Sequence, residues 1–346
     1  MEYGRYLINE NKAVRDALIA LNTLNSQAMT LFVVNDKMEM VGTVTDGDIR
    51  RALTSGSELN TLLKFVMHRQ FAYVNNKSEI AKLRNLRDRD IILIPILDES
   101  NLIVDIIDLT KRKSYLPVDA VLMAGGKGER LRPLTLETPK PLLKMGKKAI
   151  IDLNIDSLAD YGIKNISVTV NYLKEQLIAH YSNPTEKGVK VQCVEEEEFF
   201  GTIGALTLVK EFHNDTILVM NSDLLTNIDY EDFFLHFQEN DAMMSAAAIP
   251  YTISIPYGIF NLDGRNITGV SEKPIYNLYA NAGIYLIKKE ALKYIPKGKV
   301  FNATDLIDKL AADGQTVIRY PLSGLWIDIG TPEEYKKAQE LIKHLK

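Results

Sequence analysis

Short apolar runs alternate with amphipathic segments over the second two thirds of the chain. The apolar runs predict strands at residues 120–123, 166–170, 189–194, 217–220, 244–248 and 283–287. The segments between them predict helices at residues 151–161, 173–180, 203–210, 230–240 and 332–346. Strands that alternate with helices predict the α/β class, here a doubly wound and mainly parallel sheet.

Residues 1–112 have a less regular pattern, which predicts an α+β arrangement of short strands and short helices. A strand, a turn, a strand and a helix recur about sixty residues apart, as a weak internal repeat. The first copy spans strands 31–34 and 40–44 and helix 47–53, and the second spans strands 91–97 and 102–107. A basic stretch that ends in Pro117 follows. We therefore expect two domains, residues 1–115 and 116–346.

Composition narrows the class of protein without identifying it. The chain has 346 residues, is 46% hydrophobic and 25% charged, and carries a net charge of -4, which argues against non-specific nucleic-acid binding. No apolar stretch approaches the roughly 20 residues of a membrane span, and the N-terminus lacks a signal-peptide pattern. The single cysteine, Cys193, lies in an apolar run and fits a buried thiol in a reducing cytoplasm. We expect a cytoplasmic protein.

A glycine-rich loop follows the first strand of the second region. Glycines 125, 126 and 128 lack a Cβ, so their backbone N–H groups can approach an anion closely. Arg130, Arg132 and Lys140 follow and can neutralise its charge. The spacing is neither that of a Walker loop nor G-x-G-x-x-G. The loop therefore predicts a polyphosphate site at the end of a parallel strand.

Seven short motifs then occur in a recognisable order. They are GGKGERLRPLT (125–135), PKPL (139–142), GTIGAL (201–206), NSD (221–223), SEKP (271–274), NAGIYLI (281–287) and WIDIGTP (326–332). With them, residues 118–340 resemble the sugar-nucleotide pyrophosphorylases, and the mannose-1-phosphate guanylyltransferases in particular. The resemblance implies a Rossmann-like, GT-A-like fold. It also implies that a nucleoside triphosphate and a sugar 1-phosphate give an NDP-sugar and pyrophosphate, for cell-surface glycan biosynthesis.

The resemblance also implies roles for individual residues. Asp223 and Asp328 would hold Mg²⁺, a cation that prefers carboxylate and phosphate oxygens. Arg130, Lys140 and Lys273 would act with Asp223 in catalysis, neutralising the triphosphate and holding the sugar phosphate. The sugar would contact Gly204, Glu272, Asn281 and Gly283. The nucleotide would contact Met123, Ala124, Gly125, Gly126, Gly128, Glu129, Glu198, Gly201 and Thr202.

The nucleotide base is predicted from a carboxylate. Guanine offers N–H donors, and Glu198 lies three residues before Gly201 in EFFGTIG, a stretch similar to E-P-L-G-T-A-G of guanylyltransferases. We therefore expect GTP, with mannose, heptose or amino-sugar 1-phosphate. The alternatives are a glucose-1-phosphate thymidylyl-, uridylyl- or cytidylyltransferase, an alcohol-phosphate cytidylyltransferase, and an inert nucleotide-sensing subunit. Glu129 stands where thymidylyl- and uridylyltransferases more often carry a hydroxyl residue.

Residues 1–112 resemble a tandem pair of CBS domains, most specifically in GTVTDGDIRRAL (42–53). The resemblance implies that Thr45 and Asp48 contact the phosphate and ribose of an adenosine nucleotide. In the second copy the matching positions are Asp108 and Lys111, and an aspartate there would repel a phosphate. We expect at most one nucleotide cleft; the alternative is a dimerisation module without a ligand. Either way the resemblance implies a homo-oligomer.

Overall fold

The computed structural model describes residues 3–24, 29–77 and 79–343. The chain forms two compact units. The first comprises Met1–Leu116 with Asp160–Gly162, and the second comprises Pro117–Ala159 with Ile163–Lys346.

The first unit contains two copies of one strand ladder. Its elements are β1 Leu7–Asn9, α1 Val14–Thr23, β2 Thr30–Val34, β3 Met40–Thr45, α2 Asp46–Thr54, α3 Ile80–Asp88, β4 Leu93–Leu97 and β5 Ile103–Asp108. β2 pairs with β1 in parallel and with β3 antiparallel. Likewise, β4 is antiparallel to β5, and its residue Ile96 bridges Val74 in parallel. The two predicted hairpins are therefore confirmed.

The two copies differ after their hairpins. In the first copy, Thr45 accepts a hydrogen bond from the backbone N–H of Asp48, and the Asp48 carboxylate accepts one from the backbone N–H of Thr45, so α2 begins there. In the second copy the structure describes no helix over residues 109–117, which follow β5, so the predicted repeat of that helix is wrong. The Asp108 carboxylate instead accepts from the backbone N–H and the hydroxyl of Thr110, which closes a turn.

The second unit contains most of the regular structure. Its strands are β6 Val118–Met123, β7 Lys144–Met145, β8 Lys148–Ala149, β9 Ile166–Val170, β10 Val191–Glu195, β11 Thr216–Asn221, β12 Leu224–Thr226, β13 Met244–Ser254, β14 Ile259–Asp263, β15 Asn266–Ser271, β16 Ile275–Lys288, β17 Val317–Pro321 and β18 Trp326–Asp328. Its helices are α4 Ile150–Asp160, α5 Lys174–His180, α6 Tyr230–Glu239, α7 Ala303–Ala312 and α8 Pro332–Ile342.

A seven-stranded sheet organises this unit, in the order β10-β9-β6-β11-β16-β13-β17. All neighbouring pairs are parallel except the two that involve β16. The α/β class and the largely parallel central sheet are thereby confirmed. Because β9, β6 and β11 are adjacent and parallel, their carboxyl ends meet at one edge of the sheet.

Two predictions for the second unit need correction. The predicted helix at 203–210 is a short 3₁₀ turn, Gly204–Leu208, since the N–H groups of Leu206 and Val209 donate to the carbonyls three residues before them. The last helix ends at Ile342, and residues 344–346 of its predicted span lie outside the described residues. None of the helices described is long and apolar enough to cross a membrane.

Two strands of the sheet are much longer than predicted. Beyond the sheet, β13 and β16 continue as a two-stranded ladder that pairs Ile249 with Ala280 and Ser254 with Ile275. β14 and β15 form a second hairpin between them. We call residues 249–280 the arm. The sequence pattern predicted only the parts of these strands that lie inside the sheet, residues 244–248 and 283–287.

Candidate active site

A cleft of about 610 Å³ lies at the carboxyl ends of β6, β9 and β11. Eleven of the residues predicted from the sequence line it, namely Met123, Ala124, Gly125, Gly126, Gly128, Glu129, Arg130, Lys140, Gly201, Thr202 and Asp223. Seven others are absent from its lining: Glu198, Gly204, Glu272, Lys273, Asn281, Gly283 and Asp328. Concave sites at such strand ends are the usual ligand sites of open α/β sheets.

Two glycines of the loop lie where a side chain would crowd neighbouring groups. A Cβ on Gly125 would lie 2.7 Å from Oε1 of Glu196, and Gly128 has a φ of +60°, which a residue with a side chain rarely adopts. A Cβ on Gly128 would also lie 3.1 Å from side-chain atoms of Lys140 and Thr135. The Thr135 hydroxyl donates to the carbonyl of Gly128 at 2.8 Å. The loop therefore lines the cleft, and the hydrogen bond from Thr135 fixes its backbone at Gly128.

A lysine lies between two aspartates at this edge of the sheet. Nζ of Lys140 forms an ion pair with Asp223 and lies 3.9 Å from Oδ1 of Asp328. The two aspartates meet because β12 pairs with β18, which sets Leu224 opposite Asp328. Burial, and then the charge of Asp223, raise the pKa of Asp328. Oδ1 of Asp223 is buried and has no hydrogen-bond partner among the described residues. The site therefore holds more negative charge than Lys140 alone compensates.

Arg130 adds a second cation next to this group. A Cβ on Gly330 would lie 3.0 Å from a guanidinium nitrogen of Arg130, so the arginine side chain closely approaches the glycine of the WIDIG stretch. Its charge opposes the rise in the pKa of Asp328. Glu129, its neighbour in the loop, is exposed and lies 3.5 Å from Arg132. The cations thus lie beside the loop, where a bound anion would need them.

Glu196 is a cleft residue that the sequence analysis missed. It is only 2% exposed, and its carboxylate accepts a hydrogen bond from the backbone N–H of Phe200 at 3.2 Å. Burial raises its pKa. Glu198, the glutamate chosen from the sequence, is exposed. The sequence carried no signal for Glu196, because β10 is buried at Val191 and Val194, three residues apart, and so does not alternate.

The predicted sugar-site residues are not gathered in the cleft. Glu272 and Lys273 lie in the turn between β15 and β16 and are exposed, and Lys273 has a φ of +46°. Asn281 lies within β16, where it donates to the Tyr285 hydroxyl at 2.7 Å and accepts from the N–H of Gly283 at 3.0 Å. Gly204 is buried in its 3₁₀ turn.

A glycine loop at a strand end, two adjacent cations and a pair of carboxylates are the features expected of an α/β protein that binds a polyphosphate. That class includes many nucleotide-handling enzymes. Residues 119–344 match the nucleotidyl transferase family, and the chain belongs to that family.

Individual relatives agree with this assignment. The chain is 32% identical over 223 residues to a mannose-1-phosphate guanyltransferase of Yarrowia lipolytica. The aligned region covers 62% of this chain and 61% of that protein. Among solved structures it is similar to HddC from Yersinia pseudotuberculosis complexed with GMP-PN, with a TM-score of 0.52 and 25% identity over 64% of this chain and 98% of that one.

A Bacillus anthracis protein assigned as a glucose-1-phosphate thymidylyltransferase is also similar in structure, with a TM-score of 0.54 and 25% identity over 65% of this chain and 95% of that one. The chain spans 61 to 64% of the length of the curated relatives it matches first.

Proposed function

We propose that this chain is a sugar-1-phosphate nucleotidyltransferase that joins GTP and a sugar 1-phosphate to give an NDP-sugar and pyrophosphate. The observation that carries the proposal is the position of Lys140, between Asp223 and Asp328 and beside the glycine loop. The mannose-1-phosphate guanylyltransferase relatives support this reaction class. Mannose, heptose and amino-sugar 1-phosphates are the proposed sugar substrates.

The reaction requires two anions to meet. A sugar phosphate oxygen attacks the α-phosphorus of the triphosphate in line, and pyrophosphate leaves, so positioning and charge neutralisation do most of the work. The loop N–H groups from Gly125 to Gly128 would hold the triphosphate. Arg130 and Lys140 would neutralise its charge and the charge that develops on the leaving group. The attack needs no protein nucleophile, because the sugar phosphate supplies the attacking oxygen.

The two aspartates fit a magnesium site. Asp223 has a buried oxygen without a hydrogen-bond partner among the described residues, and it lies with Asp328 around Nζ of Lys140. Mg²⁺ is usually held by one or two carboxylates together with substrate phosphates, and this donor set provides two. When bound, Mg²⁺ would supply neutralisation of the phosphate charge. Lys140 would then exchange its carboxylate partner for a phosphate oxygen.

The choice of GTP rests on a buried carboxylate. A carboxylate accepts hydrogen bonds from two adjacent N–H groups, and guanine offers such a pair on its Watson–Crick edge. Glu196 is buried in the cleft lining with Oε1 against the glycine loop, so we assign it the role that the sequence analysis gave to Glu198. The similarity to HddC complexed with GMP-PN agrees with a guanine nucleotide.

A matrix of nucleoside triphosphates against sugar 1-phosphates, with pyrophosphate release as the readout, tests the proposal. We expect release with GTP and Mg²⁺ for one of the proposed sugars. The similarity to the thymidylyltransferase makes dTTP with glucose 1-phosphate the second candidate, and the same matrix contains it. Equal inactivity of the wild type and Asp223→Asn in every cell would contradict the enzyme proposal and favour an inert sensing subunit.

For the first unit we propose a tandem CBS pair with one adenosine-nucleotide cleft at Thr45 and Asp48. The two-copy strand ladder supports this proposal, and so does the difference between the copies. Thr45 and Asp48 cap a helix, whereas their counterparts Asp108 and Lys111 form an ion pair at 3.1 Å. Titration calorimetry of the full chain with AMP and ADP should give heat that Thr45→Val removes and Asp223→Asn retains. Absence of heat with both nucleotides would contradict the nucleotide cleft and favour the alternative, in which the first unit is a dimerisation module without a ligand.

A further inference from the structure

The arm exposes apolar side chains in an ordered pattern. In the β13–β16 ladder, Tyr251 lies opposite Leu278 and Ile253 lies opposite Tyr276, so these four side chains share one face. They are 40 to 55% exposed. The other face carries Thr252, Ser254 and Asn277 together with two more exposed apolar side chains, Ile275 and Tyr279. Both faces of the ladder therefore leave large apolar side chains 40 to 64% exposed.

The outer hairpin of the arm repeats the pattern. Phe260 lies opposite Val270 and Leu262 lies opposite Ile267, and all four are 56 to 64% exposed. Three of the eight are aromatic side chains, which bury about 150–250 Å² each when fully covered, and the other five are smaller, so at half exposure the eight together leave on the order of 600 Å² of apolar surface uncovered. A monomer rarely exposes a larger apolar patch, and one partner of a standard protein interface buries about 800 Å².

The edges of the arm are open as well. β17 pairs with β13 only at residues 244–248, and β11 pairs with β16 only at residues 284–288. Over residues 249–254 and 275–280, the structure describes no strand on the outer side of either strand. Two-stranded ladders are marginally stable in water, and open edges are templates for pairing with another strand. The arm therefore lacks both a covering layer and neighbouring strands.

The charge of the arm favours a partner that carries the same surface. Its only charged residues are Asp263, Arg265, Glu272 and Lys273, whose formal charges cancel. In a two-fold symmetric contact each surface meets its own copy, so a patch with strong net charge would repel itself whereas this one does not. Four of the sixteen tyrosines lie in the arm, and tyrosine is enriched in protein interfaces.

We propose that the arm is the contact surface for a second copy of this chain, which pairs with it about a two-fold axis through the apolar faces and open edges. The proposal is independent of the reaction assigned to the cleft, and it assigns association to the second unit instead of the first, where the CBS resemblance would place it. Because Glu272 and Lys273 belong to the arm, pairing would also restrict their motion.

Sedimentation equilibrium of the full chain over about a hundredfold range of concentration tests the proposal. We expect a species of twice the 39.0 kDa chain mass. Leu278→Lys places a charge on the apolar face and should raise the dissociation constant at least about 100-fold. The matched control, Gln192→Lys, adds the same charge to an exposed strand position outside the arm and should leave the mass distribution unchanged. Far-UV circular dichroism checks that both variants fold.

Hydrogen exchange locates the contact independently of any substitution. Amides on the open edges at 249–254 and 275–280 should exchange more slowly at high than at low protein concentration. A monomer at every concentration would overturn the proposal and leave the arm to another partner or a longer chain. A dimer that Leu278→Lys does not weaken, with no change in hydrogen exchange over the arm, would also overturn the proposal. It would indicate that the first unit forms the contact.

Discussion

The cleft and the arm both depart from the usual distribution of residues in a folded protein, in opposite directions. The cleft holds ionisable groups in partly or fully buried positions, including Glu196, Asp223 and Lys140. The arm presents large apolar side chains to water. Buried charge and exposed apolar surface each cost free energy, so neither is expected without a compensating partner. The comparison teaches that the two regions have opposite requirements: a charged ligand would compensate the cleft, and an apolar partner would compensate the arm.

Asp223→Asn should have the largest effect, because it removes one of the two carboxylates proposed for the metal and leaves a neutral group of the same shape. We expect pyrophosphate release to fall by about 10²–10³-fold. Asp263→Asn, which removes a carboxylate from the arm, is the matched control and should retain activity. An equal loss of activity in both variants would contradict a specific role of the cleft carboxylate Asp223.

Glu196→Gln should change the choice of base by about 10- to 100-fold. An amide presents one donor and one acceptor, which match the carbonyl and N–H edge of uracil or thymine better than the two adjacent N–H groups of guanine. The ratio of kcat/KM for GTP and UTP measures the change. Glu198→Gln alters the exposed glutamate nearby and should leave the ratio of kcat/KM unchanged. A change in this ratio with Glu198→Gln and none with Glu196→Gln would assign base recognition to Glu198.

Burial of Glu196 also predicts a pH effect on the ligand-free protein. Its pKa is higher in the folded than in the unfolded chain, so the folded state binds the proton more tightly. The free energy of unfolding therefore loses a contribution as pH rises from the ordinary glutamate pKa through the raised value. Glu196→Gln should remove that loss, so its Tm relative to wild type should increase with pH over this window. A difference in Tm that is constant between pH 4 and 8 would contradict a buried carboxylate.

The smallest effect is expected in the arm of the monomer. Leu278→Lys alters a side chain that is 49% exposed, so its free energy of unfolding at low concentration should change by at most about 0.5 kcal/mol. Leu306→Ala, in the buried face of α7, should cost about 2–5 kcal/mol. Urea unfolding of both variants measures the contrast. A large loss in Leu278→Lys would show that the monomer itself buries this face.

The parts of the site that could be predicted lie close together in the chain or in recognisable motifs. The loop at 125–128 and its cations follow one strand directly, so the order of residues predicts their proximity. Asp223 and Asp328 were paired by resemblance, and the β12–β18 ladder is what brings them together. Glu196 was missed because four consecutive glutamates carry no apolar alternation, and only the pairing of β10 determines which of them faces inward.

The sequence by itself determined the α/β class, the division into an irregular first region and an alternating second one, and the glycine loop, because these depend on local periodicity and on the backbone freedom of glycine. The tertiary structure decided which carboxylates share a cleft and where two strands outgrow their sheet. Those outcomes depend on strand register and on contacts between residues far apart in the chain, which no local pattern encodes. The arm is the clearest case, since the sequence predicts only the parts of β13 and β16 that lie inside the sheet and the fold alone shows how far both strands extend.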